Sequence, residues 1–212
     1  MTRKATAASA ASENRSLRRQ AIRGAALDLA ATGGNRAITH HAIDDRLGIA
    51  RGSTSYYYRT RQELLEAAIE YLATTSREAF HSALTVPADC NDPLDGAAEL
   101  IAGQLDLLLG DRRRDALARY ALAADTAGNE ELRQALAVCL FSLPAAETLL
   151  ESLGAPDPNQ AARDLISLLE GLLFDRLYGL RSLLSIPPGT AAGRDDLRPA
   201  IRRWLAALAA AT

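Results

Sequence analysis

The sequence is poor in the residues from which catalytic and metal centres are built. Two cysteines, Cys90 and Cys139, stand in 212 residues, too few for a disulfide framework or a cysteine metal site. Each reads as a small apolar residue or an ordinary thiol. Three histidines, His40, His41 and His81, form no ligand-spaced cluster with cysteines or carboxylates, which argues against zinc. No phosphate-cradling glycine loop, nucleophile elbow or Cys/His signature of catalysis occurs, so the expectation is a non-enzyme without cofactor or metal. No apolar run is long enough to span a membrane, and MTRKATAASAASENR lacks the continuous apolar core of a signal peptide. A cytoplasmic protein without a membrane partner is therefore expected. Val, Ile and aromatic residues are scarce beside Ala and Leu, which favours an all-α fold.

Neither sign of charge is missing, but the two are unevenly divided along the chain. The net charge of −2 combines +7 over residues 1–61 with −9 over residues 62–212. A basic block on an otherwise acidic chain is the footprint of a module that meets phosphates.

Within the basic block, ITHHAIDDRLGIARGSTSYYYRTRQELL (residues 38–65) reads as two short helices around a Leu47-Gly48-Ile49 turn. Residues 1–12 read as a disordered basic arm, and a first helix is expected from Ser12 or Glu13 to the Gly33-Gly34-Asn35 stop. Thr39 is placed to cap the next helix, whose inward side is Ala42, Ile43 and Leu47. The following helix runs from about Arg51 to Tyr58 or Arg59. Successive helical residues are about 100° apart, so Tyr56, Tyr57 and Tyr58 cannot share a face. Tyr58, beside the Leu64-Leu65 helix, is the one expected to pack inward.

These residues resemble a known series. Ile43, Gly48-Ile49, Arg51-Gly52-Ser53, Tyr56-Tyr57-Tyr58 and Thr60-Arg61-Gln62-Glu63-Leu64 match, at fixed spacing, the three-helix DNA-binding domain of the TetR family of bacterial transcriptional regulators. The resemblance covers residues 13–70. It implies a helix-turn-helix domain over residues 13–60 and a helical effector-binding and dimerisation domain over residues 61–212. On that basis Thr39, His40, Arg51, Ser53, Thr54, Tyr56, Tyr57 and Arg61 are the expected DNA contacts, with Arg51 suited to a bidentate bond to guanine. Three positions depart from the family pattern. Ala50 stands where Ser or Thr often caps the recognition helix, so that cap must come from elsewhere. Asp44 replaces a small residue, and its carboxylate must turn to solvent or pair with an arginine such as Arg46 or Arg51. Thr54-Ser55 replaces a Leu-Tyr pair.

Beyond Arg61 the periodicity predicts a helix towards Thr85, then helices over about 94–109, 112–125, 130–153, 160–184 and 194–210. Asp92-Pro93 reads as a cap and first position, and Pro144 is expected to kink or split its stretch. Gln104, Tyr120, Phe141, Phe174 and Tyr178 are candidate effector contacts, because they bring rings or a polar handle into aliphatic helices; an apolar or aromatic effector is expected. The segment LISLLEGLLFDRLYGL (residues 165–180) is apolar nearly all round, which implies burial on two sides. Similar proteins pair their last two long helices in a dimer. Leu165, Leu169, Leu172 and Arg176, with Ile201, Trp204, Leu205 and Leu208 of the last helix, are the expected interface. The expected partners are a palindromic duplex operator, a small molecule and a second copy of the chain, acting together as a repressor. The alternative is a helical small-molecule-binding or catalytic protein whose N-terminal module is vestigial.

Overall fold

The computed structural model describes residues 2–83 and 92–210, and side chains from residue 12 to 79 and from 92 to 210. Ten α-helices occupy the described residues, with short 3-10 turns between some of them and no strand. The chain divides into two compact units, residues 1–75 with 117–137 and residues 76–116 with 138–212. The division falls inside the helix that starts at Arg61, the boundary expected from sequence, so residues 61–75 group with the first unit.

In the first unit, α1 spans Thr2–Gly33, α2 His40–Leu47, α3 Ser53–Tyr57 and α4 starts at Arg61, running to Ala83. Helix α1 begins at Thr2 instead of near Ser12, so the expected arm is helical. Its Ala-rich stretch contains no Gly or Pro before Gly24, and alanine is the strongest helix former. Helix α2 is capped as expected: the Thr39 hydroxyl accepts from the Ala42 amide at 3.1 Å. It stops at Gly48, whose φ of +61° is the left-handed conformation that side chains with a Cβ avoid. Ile22, Leu27, Ile38, Ile43, Leu64, Ile69 and Leu72 are fully or almost fully buried and form the apolar interior of this unit. Asp28 ties α1 to α2 by accepting twice from Arg46, at 2.9 and 3.0 Å. The later part of the unit adds the end of α6 (Arg113–Ala123) and α7 (Glu130–Ala137).

The second unit is built from α5 (Pro93–Leu109), α8 (Leu143–Ser152), α9 (Pro158–Tyr178) and α10 (Ala191–Ala210). Helix α10 lies along α5, while α9 packs on α8, α5 and α10. Asp92 caps α5 by accepting from the Leu94 amide at 2.9 Å, with Pro93 at the first helical position. The stretch expected over 130–153 is split, with the break before Pro144: α7 ends at Ala137, and Ser142 caps α8 by accepting from the Ala145 amide. Helix α9 ends at Tyr178 and a 3-10 turn follows over Leu180–Leu183, so the predicted helix to 184 is shorter.

A buried polar clamp holds these helices in place. Asp106 on α5, 4% exposed, accepts from the Gly189 amide at 2.9 Å and lies 3.6 Å from the Arg194 guanidinium of α10. Arg176 on α9 is ion-paired with Asp196 on α10. Partnering is what makes such burial tolerable, since an unpaired interior charge is strongly destabilising. Cys139 is buried in this unit, as its apolar reading suggested, while Cys90 lies outside the described residues.

Candidate nucleic-acid interface and ligand cavity

Helix α3 is short and presents Ser53, Ser55, Tyr56 and Tyr57 at exposed or half-buried positions. Its rear is held by an aspartate. Asp44, on α2, is completely buried. Its Oδ2 accepts from the Gly52 amide at 2.7 Å, and its Oδ1 from the Thr54 amide at 2.9 Å and the Thr54 hydroxyl at 2.6 Å. The missing cap at Ala50 is thereby supplied from the neighbouring helix: a carboxylate takes the orphan amides that open α3. Gly52 has a φ of +90°, which turns its N–H towards that carboxylate. Burial pushes the Asp44 carboxyl up, yet the Thr54 hydroxyl, the Thr54 and Gly52 amides and the charge of His41 outweigh it. The net position is below the ordinary carboxylate value.

This arrangement corrects two expectations. Asp44 neither faces solvent nor pairs with Arg46 or Arg51: Arg46 goes to Asp28, and Arg51 approaches Asp45 at 3.9 Å. Thr54, expected at the DNA, is fully buried against Asp44. Periodicity alone cannot reveal this, because a threonine whose hydroxyl has a buried partner looks like any polar helix residue.

The other expected contacts separate into outward and inward groups. Arg51, Ser55 and Tyr56 are exposed, with Tyr56 at 72%. Tyr57 is half-buried and meets Tyr56 edge-on, ring centroids 5.2 Å apart. The Ser53 hydroxyl donates to the Ala50 carbonyl at 2.5 Å, leaving its lone pairs open. Tyr58 is buried, as expected, beneath the Arg19 guanidinium 5.8 Å above its ring. His40 turns inward: its Nε2 lies 2.7 Å from the Tyr58 carbonyl, and since a carbonyl only accepts, that nitrogen carries the proton. Thr39 and His41 are the exposed residues at the start of α2. Arg61 donates to the Asn35 carbonyl at 2.9 Å and lies 4.0 Å from Asp125. Ser55, absent from the expected contacts, is on the open face of α3, one residue beyond the buried Thr54; the 100° step between them is the signal that places it there.

In the second unit an open-mouthed cavity of about 450 Å³ is lined by α5, α8, α9 and the Leu140–Ser142 segment. Leu105, Leu108, Leu165 and Leu169 form its buried walls. Gln104 and Phe141, both expected effector contacts, line it. Tyr120, Phe174 and Tyr178 do not. Tyr120 belongs to the other unit, and the rings of Phe174 and Tyr178 sit on the outside, 49% and 52% exposed and 5.3 Å apart.

The expected dimer residues also divide. Leu165, Leu169, Leu172, Ile201 and Leu205 are buried within their own chain, and Arg176 is engaged with Asp196. Trp204 and Leu208 are half-buried. A helix apolar on both sides announces two contacts without saying which belongs to its own core. Here the leucines face inward, and Gly171, Phe174 and Tyr178 mark the outward face.

A three-helix helix-turn-helix module followed by a helical unit with an apolar cavity defines the class as a DNA-binding regulator. The chain matches the Tetracyclin repressor-like, C-terminal domain family over residues 92–207. It is similar throughout to three solved structures. A transcriptional regulator from Rhodococcus is 21% identical, covers 90% of this chain and 95% of its own, and superposes with a TM-score of 0.69. A transcriptional regulator from Streptomyces coelicolor is 28% identical, with coverage of 89% and 98% and a TM-score of 0.59. The multidrug binding protein EbrR, complexed with ethidium, is 24% identical, with coverage of 88% and 98% and a TM-score of 0.57. No curated protein matches. The chain belongs to the TetR family of transcriptional regulators. Among the described residues, no helix is long and apolar enough to cross a membrane.

Proposed function

We propose that the protein is a homodimeric, ligand-responsive repressor that reads a palindromic operator and leaves it when a small apolar effector fills the cavity of the second unit. The observation that carries this reading is the Asp44 lock. A buried carboxylate spends its hydrogen-bonding capacity on fixing α3, so Arg51, Ser55 and Tyr56 are presented in one defined geometry. A module whose reading helix is held in this way is the opposite of the vestigial one in the alternative reading.

Arg51 would contact a guanine edge, and Ser53, Ser55, Tyr56 and Tyr57 base edges or phosphates. Thr39 and His41 lie at the start of α2, where exposed amides and the helix dipole favour a phosphate oxygen. One five-residue helix offers few base contacts. Two such helices, related by a dimer axis, would read two half-sites together. The outward faces of α9 and α10, with Gly171, Phe174, Tyr178 and Trp204, are the surfaces we assign to the dimer. An effector shifts the DNA equilibrium only if it binds the DNA-free conformation more tightly than the DNA-bound one.

Arg51→Ala is expected to weaken specific binding about tenfold or more, the loss of a bidentate guanine contact worth roughly 1–3 kcal/mol. Competition titrations with operator-containing and scrambled duplexes measure it. An unchanged ratio between the two duplexes would remove Arg51 from base reading.

A further inference from the structure

The cavity of the second unit has an unusual chemistry for a place that must recognise something. Among the described residues that line it, none is ionisable. Its polar groups are Gln104, Ser142, Thr148 and Ser152. Ser142 accepts from the Ala145 amide at 3.3 Å, Thr148 donates to the Pro144 carbonyl at 3.0 Å, and Ser152 donates to the Leu149 carbonyl at 2.7 Å. Thr148 and Ser152, one turn apart on α8, are exposed and form the rim, while the deep wall is leucine. A charge seated against that wall would lose its water and gain no counter-ion, a cost no hydroxyl at the rim offsets.

Resting on the effector reading above, we propose that this cavity selects an uncharged ligand with an apolar body and rejects lipophilic cations whose charge is spread through the ring system. The body lies against Leu105, Leu108, Leu165 and Leu169. A neutral polar end faces Gln104, whose side-chain amide both donates and accepts, and the Thr148–Ser152 rim. The volume of about 450 Å³ admits a three-ring frame. This separates the chain from EbrR, whose structures hold ethidium and proflavin, despite the shared fold.

Two probes with one ring frame test the charge. Acridine is neutral in mildly alkaline buffer, whereas proflavin is the same three-ring frame with two added amino groups and a positive charge; protonating acridine itself isolates the charge. Binding of each to the full-length protein without DNA is followed by fluorescence and calorimetry. Acridine should bind, with proflavin more than about tenfold weaker. Acridine affinity should also fall as the buffer is acidified through its own protonation. Ala146→Trp, which fills the cavity, should abolish acridine binding, and Gln104→Glu, which adds a carboxylate, should raise proflavin affinity more than about tenfold. Proflavin binding as tightly as acridine to the wild type, or acridine failing to bind, overturns the proposal. So does acridine binding that Ala146→Trp leaves unchanged. If acridine binds selectively but releases no DNA, the selectivity stands and the effector reading fails, so the two are distinguished.

Discussion

Asp44→Ala is expected to abolish DNA binding while the second unit keeps its fold. The substitution removes one carboxylate and strands three donors: the Gly52 amide, the Thr54 amide and the Thr54 hydroxyl. Leaving a buried donor unsatisfied costs about 1–3 kcal/mol. Even with partial relief by entering water, the loss is a large part of the stability of a small helical module. Helix α3 is only five residues long and cannot survive on propensity alone. Asp44→Asn should fail nearly as badly, because its Oδ1 can still accept but its NH2 would face the N–H of Gly52 or Thr54. Recovery requires restoring both functions by other means. Combining Asp44→Ala with Thr54→Leu and Ala50→Ser removes the stranded hydroxyl, refills the space and returns a side-chain cap to the opening turn. That triple variant should regain helix-turn-helix stability, read as the denaturant midpoint of the first unit, and duplex binding with it. If Asp44→Ala binds duplex as well as the wild type, the lock has no part in presenting α3.

The pH dependence of this lock has a definite sign. A carboxylate whose folded pKa is lowered contributes its full stability above its unfolded value of about 4. The contribution is lost as pH falls through the folded value. Duplex binding should therefore show no Asp44-dependent change between about pH 5 and 8.

Phe174→Arg is expected to give monomers and, through them, a collapse of operator affinity. The ring is half exposed on the outward face of α9, beside Tyr178, so a charge there leaves the chain's own core untouched. In a dimer interface the same guanidinium would be buried opposite its own symmetry mate, with no partner for either. Loss of the second reading head removes the effective-concentration advantage, which is on the order of 10²–10⁴ in affinity. Light scattering gives the mass, and a titration with full operator and half-site duplexes gives the affinity. The expected variant is a folded monomer that binds both duplexes equally weakly. Leu172→Arg would be a poor substitute test: Leu172 is 4% exposed within its own chain, and its replacement would damage the fold before it reported on association.

What the amino-acid order made legible follows from which forces are local. Caps and breaks were visible because their chemistry is confined to a few neighbours: Thr39 before α2, Asp92-Pro93 before α5, Gly48 after α2 and the break ahead of Pro144 all stand as read. The inward Tyr58 was legible from the 100° step together with its place beside the Leu64-Leu65 helix. The Asp44–Thr54 pair was not, because two polar residues ten positions apart show their complementarity only once the turn has brought them together. Helix α9 failed for a related reason. Its apolar circumference suggested burial on two sides, yet within its own chain the leucines turn inward and the rings outward, since a hydrophobic pattern has no label for its own core. Of the ring-bearing cavity candidates only Phe141 lines the cavity; most of the remaining wall is aliphatic, which composition does not distinguish from an ordinary interior.

The most direct measurement of the central claim is a competition titration of the full-length protein against duplexes recovered from genomic DNA by selection. The account predicts a preferred palindromic fragment bound at least about a thousandfold more tightly than a scrambled duplex. Its affinity should fall steeply as salt is raised, and Asp44→Ala should abolish it. Equal binding to every fragment, or none to any at low salt, would contradict it.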